Sequence, residues 1–429
     1  MSCIRFRPWF VFIGLAFGWG ISGGCSSKTP PTDVPVAEVP DTPEVTQTES
    51  PYVFEAQAYE ALPEQLLAAR LPIDETTDGW IRLFDGHTLF GWVIAGEANW
   101  RVEDGAIVVD RGGQCLLTTT TQWSDYELEL EFQADEGTNS GVFVRTQLDP
   151  VDVEVECFEI NIAPEDNPFP TGGVVKRKKG ESFQGDSDQW HAMRVVCDGD
   201  QLSVRINDQR TVELEDASTP STGFIGLQHN SGRVRFRNVR LRPLGLETLL
   251  DQELANWTRF EDMEGEFRVN EEGELVVDGG KQQLETKESY GDFTLLAEYQ
   301  MEDAKSNSGI FFRCIPSDVM MGYECQVSNE MVEGNPLRPA DCGAGGIFRR
   351  QDARVVAGEP SRWNSILLKA EGSHFAAWVN GLQVSDVYDD REPNENPRKG
   401  LRLEPGTIMI QGHDPSTQAT YRKFEIRAQ

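Results

Sequence analysis

The sequence predicts an all-β protein with two tandem antiparallel β-sandwich domains of the jelly-roll type. Residues 138–145, TNSGVFVR, return as residues 306–313, SNSGIFFR, and further matched segments follow in the same order. A repeat of roughly 170 residues is one whole domain, because solenoid repeats span only about 20 to 50 residues. Both copies alternate apolar and polar residues and lack a long helical period, which is typical of strands with one face in a core.

The strands can be assigned in chain order from this alternation. Residues 126–132 place Tyr, Leu, Leu and Phe between three glutamates, which predicts a strand with a solvated acidic face. Residues 202–206 and 234–239 alternate in the same way. Turn signals interrupt these runs at Asp104-Gly105, Asp198-Gly199 and Asn380-Gly381. The offset between matched segments grows from 167 to 173 residues along the chain, which predicts a loop insertion in the second copy.

The N-terminal residues have the pattern of an export signal. Arg5 and Arg7 precede the apolar residues 9–21, and small residues precede Cys25. This pattern predicts a signal sequence with lipidation at Cys25, and ordinary signal cleavage is the alternative. Residues 28–51 are rich in proline and acidic residues and predict an extended tether.

The predicted organisation is therefore a chain held at the cell envelope by a lipid, on the outer-membrane, periplasmic or surface side. A short helix is expected between residues 55 and 70, and another in the linker at residues 245–255, which carries three leucines. The predicted segments are a signal sequence at 1–24, a lipid-anchored tether with a short helix at 25–75, and sandwich domains at 76–245 and 246–429.

Charge and cysteine content narrow the function classes. The formal net charge of −32 disfavours nucleic acid as a partner, because phosphate binding requires clustered lysine and arginine. A neutral sugar is a better match. The cysteines after Cys25 show neither CxxC pairs nor zinc spacing, so buried free thiols are expected at positions 115, 157, 197, 314, 325 and 342.

The repeated strand and the strand after it carry polar side chains that recur in both copies. By parity, one face of the repeated strand in the first copy holds Asn139, Gly141, Phe143 and Arg145. The same face in the second copy holds Asn307, Gly309, Phe311 and Arg313. The next strand adds Glu159 and Asn161 in the first copy, and Glu324 and Gln326 in the second. If the strands are neighbours, arginine and amide groups can donate to sugar hydroxyls, glutamate can accept, and phenylalanine can stack on the ring.

Structural interpretations of these residues stay open. The glutamate and the arginine can form a cross-strand ion pair that only stabilises the sheet. His229 and His413, near matching strand ends, are candidate acids or bases, and a loop histidine bonded to the backbone is the alternative. Outside the predicted signal sequence there is no Gly-x-Ser-x-Gly elbow, no His-Glu-x-x-His and no phosphate loop. We therefore expect no cofactor and assign no metal ligand.

Residues 79–92, GWIRLFDGHTLFGW, resemble the opening signature of the 3-keto-disaccharide hydrolase family. That family's Asn-Ser-Gly-x-Phe-x-Arg strand, aromatic-Glu strand and Thr-Gly loop follow, with its Trp and Asn positions at Trp190 and Asn207. The resemblance covers nearly all of the first copy, and the second copy from about Trp257 onward without the opening motif. It implies a concanavalin A-like sandwich fold.

The resemblance also implies cleavage of glycosides already oxidised at C3. Glu159 would then be the base, while Arg145 and Asn139 would hold the developing oxyanion. The corresponding catalytic candidates in the second copy are Glu324, Arg313 and Asn307. The substrate-binding candidates are Phe143, Asn161, Phe311 and Gln326. A separate sugar 3-dehydrogenase would supply the ketone.

Two alternatives to this activity remain. One is a non-catalytic, lectin-like protein that binds glycans at the cell surface. The other is a catalytic first copy beside a binding or structural second copy. Sandwich folds host both binding and catalysis, so fold class alone does not decide between them.

Overall fold

The computed structural model describes residues 61–429 except residues 182, 184, 219 and 261. The predicted signal sequence, the lipidation site at Cys25 and most of the predicted tether lie outside the described residues. Across those described ranges, no helix is long and apolar enough to cross a membrane.

Two short helices precede the first sandwich in the described part of the chain, α1 (Pro63–Ala68) and α2 (Ile73–Thr77). Pro63 is the first helical residue of α1, where a missing backbone N–H is tolerated. Leu66 is buried in the core of the second domain, and Arg70 donates to the carbonyl of Ala357 at 3.1 Å. The short helix predicted here is therefore present and packs on the second domain.

The first domain is built almost entirely from strands. In chain order these are β1 (Ile81–Arg82), β2 (Trp92–Ala95), β3 (Arg101–Glu103), β4 (Ala106–Val109), β5 (Cys115–Thr119), β6 (Tyr126–Ala134), β7 (Asn139–Thr146), β8 (Phe158–Ile162), β9 (His191–Asp198), β10 (Gln201–Ile206), β11 (Gln209–Glu215), β12 (Phe224–Ser231) and β13 (Val234–Pro243).

These strands form two antiparallel sheets that pack face to face. The larger sheet has the order β11-β10-β9-β6-β13-β4-β3, with β1 paired to β13, and the smaller has the order β2-β5-β12-β7-β8. Leu128 and Val195 of the larger sheet lie in one core with Val142 and Ile160 of the smaller sheet. The alternation read from residues 126–132 therefore places the apolar side chains inward, as predicted.

The second domain continues the numbering after the linker. Its strands are β14 (Glu247–Thr248), β15 (Trp257–Arg259), β16 (Glu266–Val269), β17 (Leu275–Asp278), β18 (Gln282–Thr286), β19 (Phe293–Met301), β20 (Asn307–Cys314), β21 (Tyr323–Ser328), β22 (Asn364–Glu371), β23 (His374–Val379), β24 (Leu382–Tyr388), β25 (Thr407–Gly412) and β26 (Gln418–Ala428). A 3₁₀ helix, Val332–Gly334, follows β21.

The second domain repeats the topology of the first strand for strand. Its larger sheet has the order β16-β17-β26-β19-β22-β23-β24, with β14 paired to β26, and its smaller sheet has the order β15-β18-β25-β20-β21. The prediction of two tandem antiparallel sandwiches is confirmed. The prediction of a helix in the linker is wrong, because Glu247 and Thr248 instead form a short strand that pairs with β26.

The domains differ most in one connection. The link between β11 and β12 covers residues 216–223, whereas the equivalent link between β24 and β25 covers residues 389–406. The longer loop is fixed to its own domain, since the hydroxyl of Tyr323 donates to Asp389 at 2.6 Å. The six cysteines from 115 to 342 are buried and free in both domains, as predicted.

Both domains belong to one compact unit, in which the outer face of the larger sheet of the second domain packs on the first domain. Leu296, Leu367 and Trp378 lie side by side on that face and join the core of the first domain. The rings of Trp123 and Trp378 meet edge to face at 5.8 Å.

The same face of the first domain has a different character. The residues at the equivalent positions are Glu129, Arg194 and Arg205. Ion pairs cover this face, and Glu129 lies 2.7 Å from Arg240. These three positions are therefore apolar and buried in the second domain, and charged in the first.

Candidate active site

The strongest candidate site lies on the outer face of the five-stranded sheet in the first domain. Along β7, Val142 and Val144 point into the core, so Asn139, Gly141 and Phe143 point outward. The outward side chains line a pocket of about 690 Å³ together with Glu159, Asn161, Asn167, Gln228, Asn230 and the loop between β7 and β8. The predicted neighbours β7 and β8 are indeed paired.

Strand register brings three polar residues around Gly141. Gly141 lies opposite Asn161 on β8 and opposite Gln228 on β12, and Glu159 lies two pairs further along, opposite Phe143. A Cβ at Gly141 would lie 3.3 Å from Cγ of Glu159 and 3.2 Å from the carbonyl oxygen of Ile160. The absence of a side chain at Gly141 therefore leaves room for the carboxyl group of Glu159.

Glu159 has the electrostatic properties expected of a general base. Only 9% of the residue is exposed, and burial raises the pKa of its carboxyl to about 7. A hydrogen bond from the amide of Gln228 acts in the opposite direction, since it stabilises the carboxylate. Within the residues that the structure describes, no lysine or arginine forms an ion pair with Glu159.

The amide groups around Glu159 fall into two sets. In the described part of the chain, the side-chain amides of Asn139 and Asn230 have no hydrogen-bond partner, so they can bind a ligand. Asn161 donates to the carbonyl of Phe169 and therefore fixes the loop after β8. Phe143, 3% exposed, packs against neighbouring side chains on the pocket floor.

Arg145 was expected on the same face, and that expectation is wrong. Its φ of 51° is left-handed, and the pairing of β7 with β12 shifts register beside it, so the strand bulges there. The guanidinium leaves the pocket side and donates to the carbonyls of Ser124 and Gly199, at 2.9 and 2.7 Å. It also forms an ion pair with Asp125 at 2.8 Å.

Arg313 repeats this arrangement in the second domain. Its φ is 47°, its ion pair is with Asp292 at 2.7 Å, and its side chain is fully buried. The expected position of Arg313 beside Glu324 is therefore also wrong. Glu159 and Arg145 likewise do not form the cross-strand ion pair considered above, because Arg145 forms its ion pair with Asp125. Each of the two arginines donates to backbone carbonyls beside the end of its strand and does not face the pocket.

The equivalent face of the second domain brings together Glu324, Gln326, Asn307 and Phe311. Burial raises the pKa of Glu324 to about 7, and the charge of Arg398 acts against this rise. Arg398 lies 3.7 Å from the carboxyl of Glu324 and 5.4 Å from the centre of the Phe311 ring. Arg398 comes from the long loop between β24 and β25.

The second face is also filled by its own side chains. Asn307 donates to Asp341 at 3.0 Å and accepts from Gln326 at 2.6 Å. Met409 takes the position of Gly226 in the first domain and packs with Phe311 and neighbouring residues. The side-chain amide of Asn307 is therefore occupied, whereas that of its counterpart Asn139 is available to a ligand.

The histidines do not line the pocket as a matched pair. His229 lies on the core side of β12, and its Nδ1 is 3.1 Å from the carbonyl oxygen of Gly113. The alternative of a histidine bonded to the backbone is therefore right for His229. By register, Gly412 is its counterpart, whereas His413 corresponds to Asn230.

Sequence reasoning missed several residues of the pocket, above all Gln228. A signal for Gln228 existed, because it recurs as Gln411 at the same register position in the second domain. Asn230 carried no such signal, since its counterpart is His413. Phe169 and the loop between β7 and β8 lie outside the strands, where side-chain periodicity gives no information.

The opening motif has a structural role in this chain. The carboxylate of Asp85 accepts from the backbone N–H groups of His87 and Thr88, at 2.7 and 2.6 Å. It also forms an ion pair with Arg354 of the second domain at 2.9 Å. The motif therefore organises a turn and joins the two domains.

A family model for the 3-keto-alpha-glucoside-1,2-lyase-like domain matches residues 79–242 and again residues 245–427. The chain belongs to this family and contains two tandem copies of its domain. A family relative, the 3-keto-disaccharide hydrolase of Bacteroides thetaiotaomicron, is 34% identical, and the match covers 41% of this chain and 81% of the relative.

Solved structures similar to the family domain include a candidate glycosyl hydrolase from Parabacteroides distasonis. That protein is 18% identical, with a TM-score of 0.37, and the match covers 41% of this chain and 98% of the other. The carbohydrate-binding module CBM66 from Bacillus subtilis is 17% identical, with a TM-score of 0.29 and coverage of 35% and 95%.

Proposed function

We propose that the first domain cleaves glycosides oxidised at C3 and that Glu159 starts the reaction by removing the proton at C2. The observation that carries this proposal is a buried carboxyl with a pKa of about 7 in a pocket lined by amides. A base with a pKa near the working pH combines a large ionised fraction with a strong driving force for proton transfer. The family and the name of the Bacteroides relative both concern 3-keto sugars.

The reaction proceeds by elimination followed by addition of water. The C3 ketone acidifies the C2 hydrogen, which the carboxylate of Glu159 takes as a proton, and the C–H electron pair forms a C2–C3 enolate. When the ketone re-forms, a C1–C2 double bond forms and the C1–O bond breaks. The leaving group keeps that electron pair and takes up a proton. Water then adds hydroxyl to C1 and hydrogen to C2, so the net reaction is hydrolysis.

The enolate oxygen requires hydrogen-bond donors, and Asn139 and Asn230 can supply them. Both side-chain amides line the pocket without a partner among the described residues. Neutral amides take the role that sequence reasoning gave to Arg145, which lies elsewhere. A donor aimed at a developing oxyanion typically contributes about 100- to 1,000-fold in kcat.

Deuterium labelling tests the elimination step. The protein is incubated in D₂O with 3-keto-trehalose or with trehalose, beside a sample without enzyme, and the products are analysed by mass spectrometry. We expect cleavage of the keto sugar alone, with one deuterium at C2 of the released 3-keto-glucose. Cleavage without enzyme-dependent deuterium would contradict elimination, and no cleavage would contradict the activity. In that case calorimetry with unmodified glycans would test the lectin-like alternative.

We propose a non-catalytic role for the second domain. Its candidate base Glu324 lies beside Arg398, its amides Asn307 and Gln326 bind each other, and Met409 fills the position of Gly226. This arrangement supports the reading of a catalytic first copy beside a structural or binding second copy.

We also propose that the protein is lipidated at Cys25, is held at the cell envelope, and receives its substrate from a separate sugar 3-dehydrogenase. The N-terminal sequence pattern supports the anchor. Fractionation of cells producing the Cys25→Ser variant tests it, since loss of the lipid should move the protein from the membrane to the soluble fraction. Unchanged membrane association would contradict the anchor.

A further inference from the structure

The pocket of the first domain has two chemically different ends. One end, where β12 finishes and β7 begins, carries the amides of Asn139, Asn161, Asn167 and Asn230. The other end carries the apolar side chains of Leu116, Phe143, Pro150, Val151 and Val153. Glu159 lies between the two ends, because it pairs with Phe143 while its carboxyl accepts from Gln228.

The apolar end extends into the loop between β7 and β8, residues 147–157. Val151 lines the pocket rim and is 92% exposed. This exposure is held in place, because the carboxylate of Glu156 accepts from the backbone N–H groups of Val151 and Asp152, at 2.6 and 2.8 Å. Together with Pro150 and Val153, which also line the pocket, Val151 extends the apolar end of the pocket into the loop.

A second contact fixes the other half of the loop. Arg177 donates to the carbonyls of Glu154 and Cys157, at 2.5 and 3.1 Å, and its guanidinium lies 4.6 Å from the centre of the Phe158 ring. Arg177 therefore holds the part of the loop after Val153 against the segment that follows β8, while Glu156 braces the part before Val153 from within the loop. A surface fixed in this way loses little conformational freedom when it binds a ligand.

We propose that the apolar end is the subsite for the leaving group, so that the first domain prefers C3-oxidised glycosides with an apolar aglycone. This inference rests on the proposed function. The sugar ring would lie over Gly141, where the amides can bind its hydroxyls and Glu159 can reach C2. The C1–O bond would then point toward Val151 and Val153. A second sugar as leaving group would place most of its hydroxyls against valine and proline, where Asp149 is the charged group that the lining offers them.

Two substrates of equal leaving-group basicity test this preference. Benzyl and methyl 3-keto-α-glucoside both release simple alcohols, but only the benzyl group can cover the valines. Burial of an aromatic ring on an apolar surface predicts a kcat/KM roughly tenfold higher for the benzyl compound. Val151→Ser and Val153→Ser should each lower this ratio, and the double variant should bring it close to one.

Val155→Ser is the matched control. Val155 belongs to the same loop and is 52% exposed, but it does not line the pocket. This variant should therefore keep the ratio of the unaltered protein. Equal kcat/KM values for the two substrates would overturn the proposal. So would a ratio that the Val151 and Val153 variants leave unchanged, or one that Val155→Ser lowers equally.

A binding measurement separates this inference from the proposed function. If neither compound is cleaved, the proposed function fails, and the affinities of both compounds for the protein are measured by calorimetry. Tighter binding of the benzyl compound that is lost in the Val151 and Val153 variants would still support the subsite. Equal affinities would overturn it. The Glu159→Gln variant gives the same comparison if the compounds are cleaved too quickly.

Discussion

In the first domain, the outer face of the five-stranded sheet is an open pocket around Glu159, whereas in the second domain the same face is filled around Glu324. Both carboxyls are buried, and the pKa of each is raised to about 7. The difference arises at Gly226, which is replaced by Met409, and in the longer loop that brings in Arg398. The sheet positions the carboxyl, and the surrounding side chains and loops decide whether the face above it is open.

Replacement of each carboxyl tests this comparison most directly. Glu159→Gln should lower kcat for a 3-keto-glycoside by about 100- to 10,000-fold, because the general base is lost. Glu324→Gln should change kcat by less than about threefold, since its face is filled. Steady-state kinetics measures both variants. Similar losses in the two variants would show that both faces are active.

The buried arginines should behave alike in the two domains, unlike the carboxyls. Arg145→Met and Arg313→Met should each lower the free energy of unfolding by about 2–4 kcal/mol, because each removes hydrogen bonds to two or more backbone carbonyls and an ion pair with Asp125 or Asp292. Chemical denaturation measures the loss. The kcat of folded Arg145→Met should stay near that of the unaltered protein, and a selective loss of kcat would return Arg145 to the reaction.

Gly226 and Met409 occupy equivalent positions, so replacing each by the other should make the face of one domain resemble that of the other. Gly226→Met should lower kcat/KM by about tenfold or more, because even a Cβ at Gly226 would lie 3.3 Å from Cβ of Phe143. Met409→Gly should lower the free energy of unfolding by about 2–4 kcal/mol, since it leaves a cavity. If Gly226→Met retains full kcat/KM, access does not distinguish the two domains.

The pH dependence should report Glu159. Its kcat/KM should rise with pH and level off above about 7, because only the ionised carboxylate accepts a proton. Stability should change in the opposite direction. The folded state holds the Glu159 proton up to a pH of about 7, so its contribution to stability falls by at most about 3 kcal/mol as pH rises from 4.5 to 7. Glu159→Gln should remove this part of the dependence, as measured by denaturation across pH.

The smallest expected effect is at Arg398. Its positive charge lowers the pKa of Glu324 against the effect of burial, so Arg398→Ala should raise that pKa further. Carbon-13 NMR of the labelled glutamate carboxyls measures the change, and the Glu159 signal is the internal control. An unchanged Glu324 signal would mean that Arg398 does not stabilise its carboxylate.

Strand alternation predicted the outward positions of Asn139, Phe143, Glu159 and Asn161, and it failed at Arg145. Alternation holds only while each residue advances the strand by one position, and a bulge with a left-handed residue breaks that rule. An arginine occupies the left-handed position in both domains, and a glycine on the neighbouring segment, Gly223 or Gly406, leaves room for its backbone. The residue pattern of the strand itself therefore does not predict that the side chain of Arg145 lies on the opposite face.

The remaining errors have similar physical causes. Their places near equivalent strand ends suggest that His413 is the counterpart of His229. By strand register, however, the residue of the second domain that is equivalent to His229 is Gly412. The apolar loop around Val151 could not be predicted, since its shape depends on hydrogen bonds to Glu156 rather than on a periodic pattern. About half of the residues that line the pocket lie in loops, and sequence periodicity describes only strands and helices.

The outer faces of the two larger sheets differ, so the contact between the domains uses this face of the second domain and not that of the first. Leu296, Leu367 and Trp378 dock the second domain on the first, and such head-to-tail contacts can in principle extend without limit into a fibre. The first domain presents Glu129 and Arg194 at the equivalent positions, so its own outer face does not offer the same apolar contact. A second domain released by proteolysis would expose its tryptophan and should self-associate.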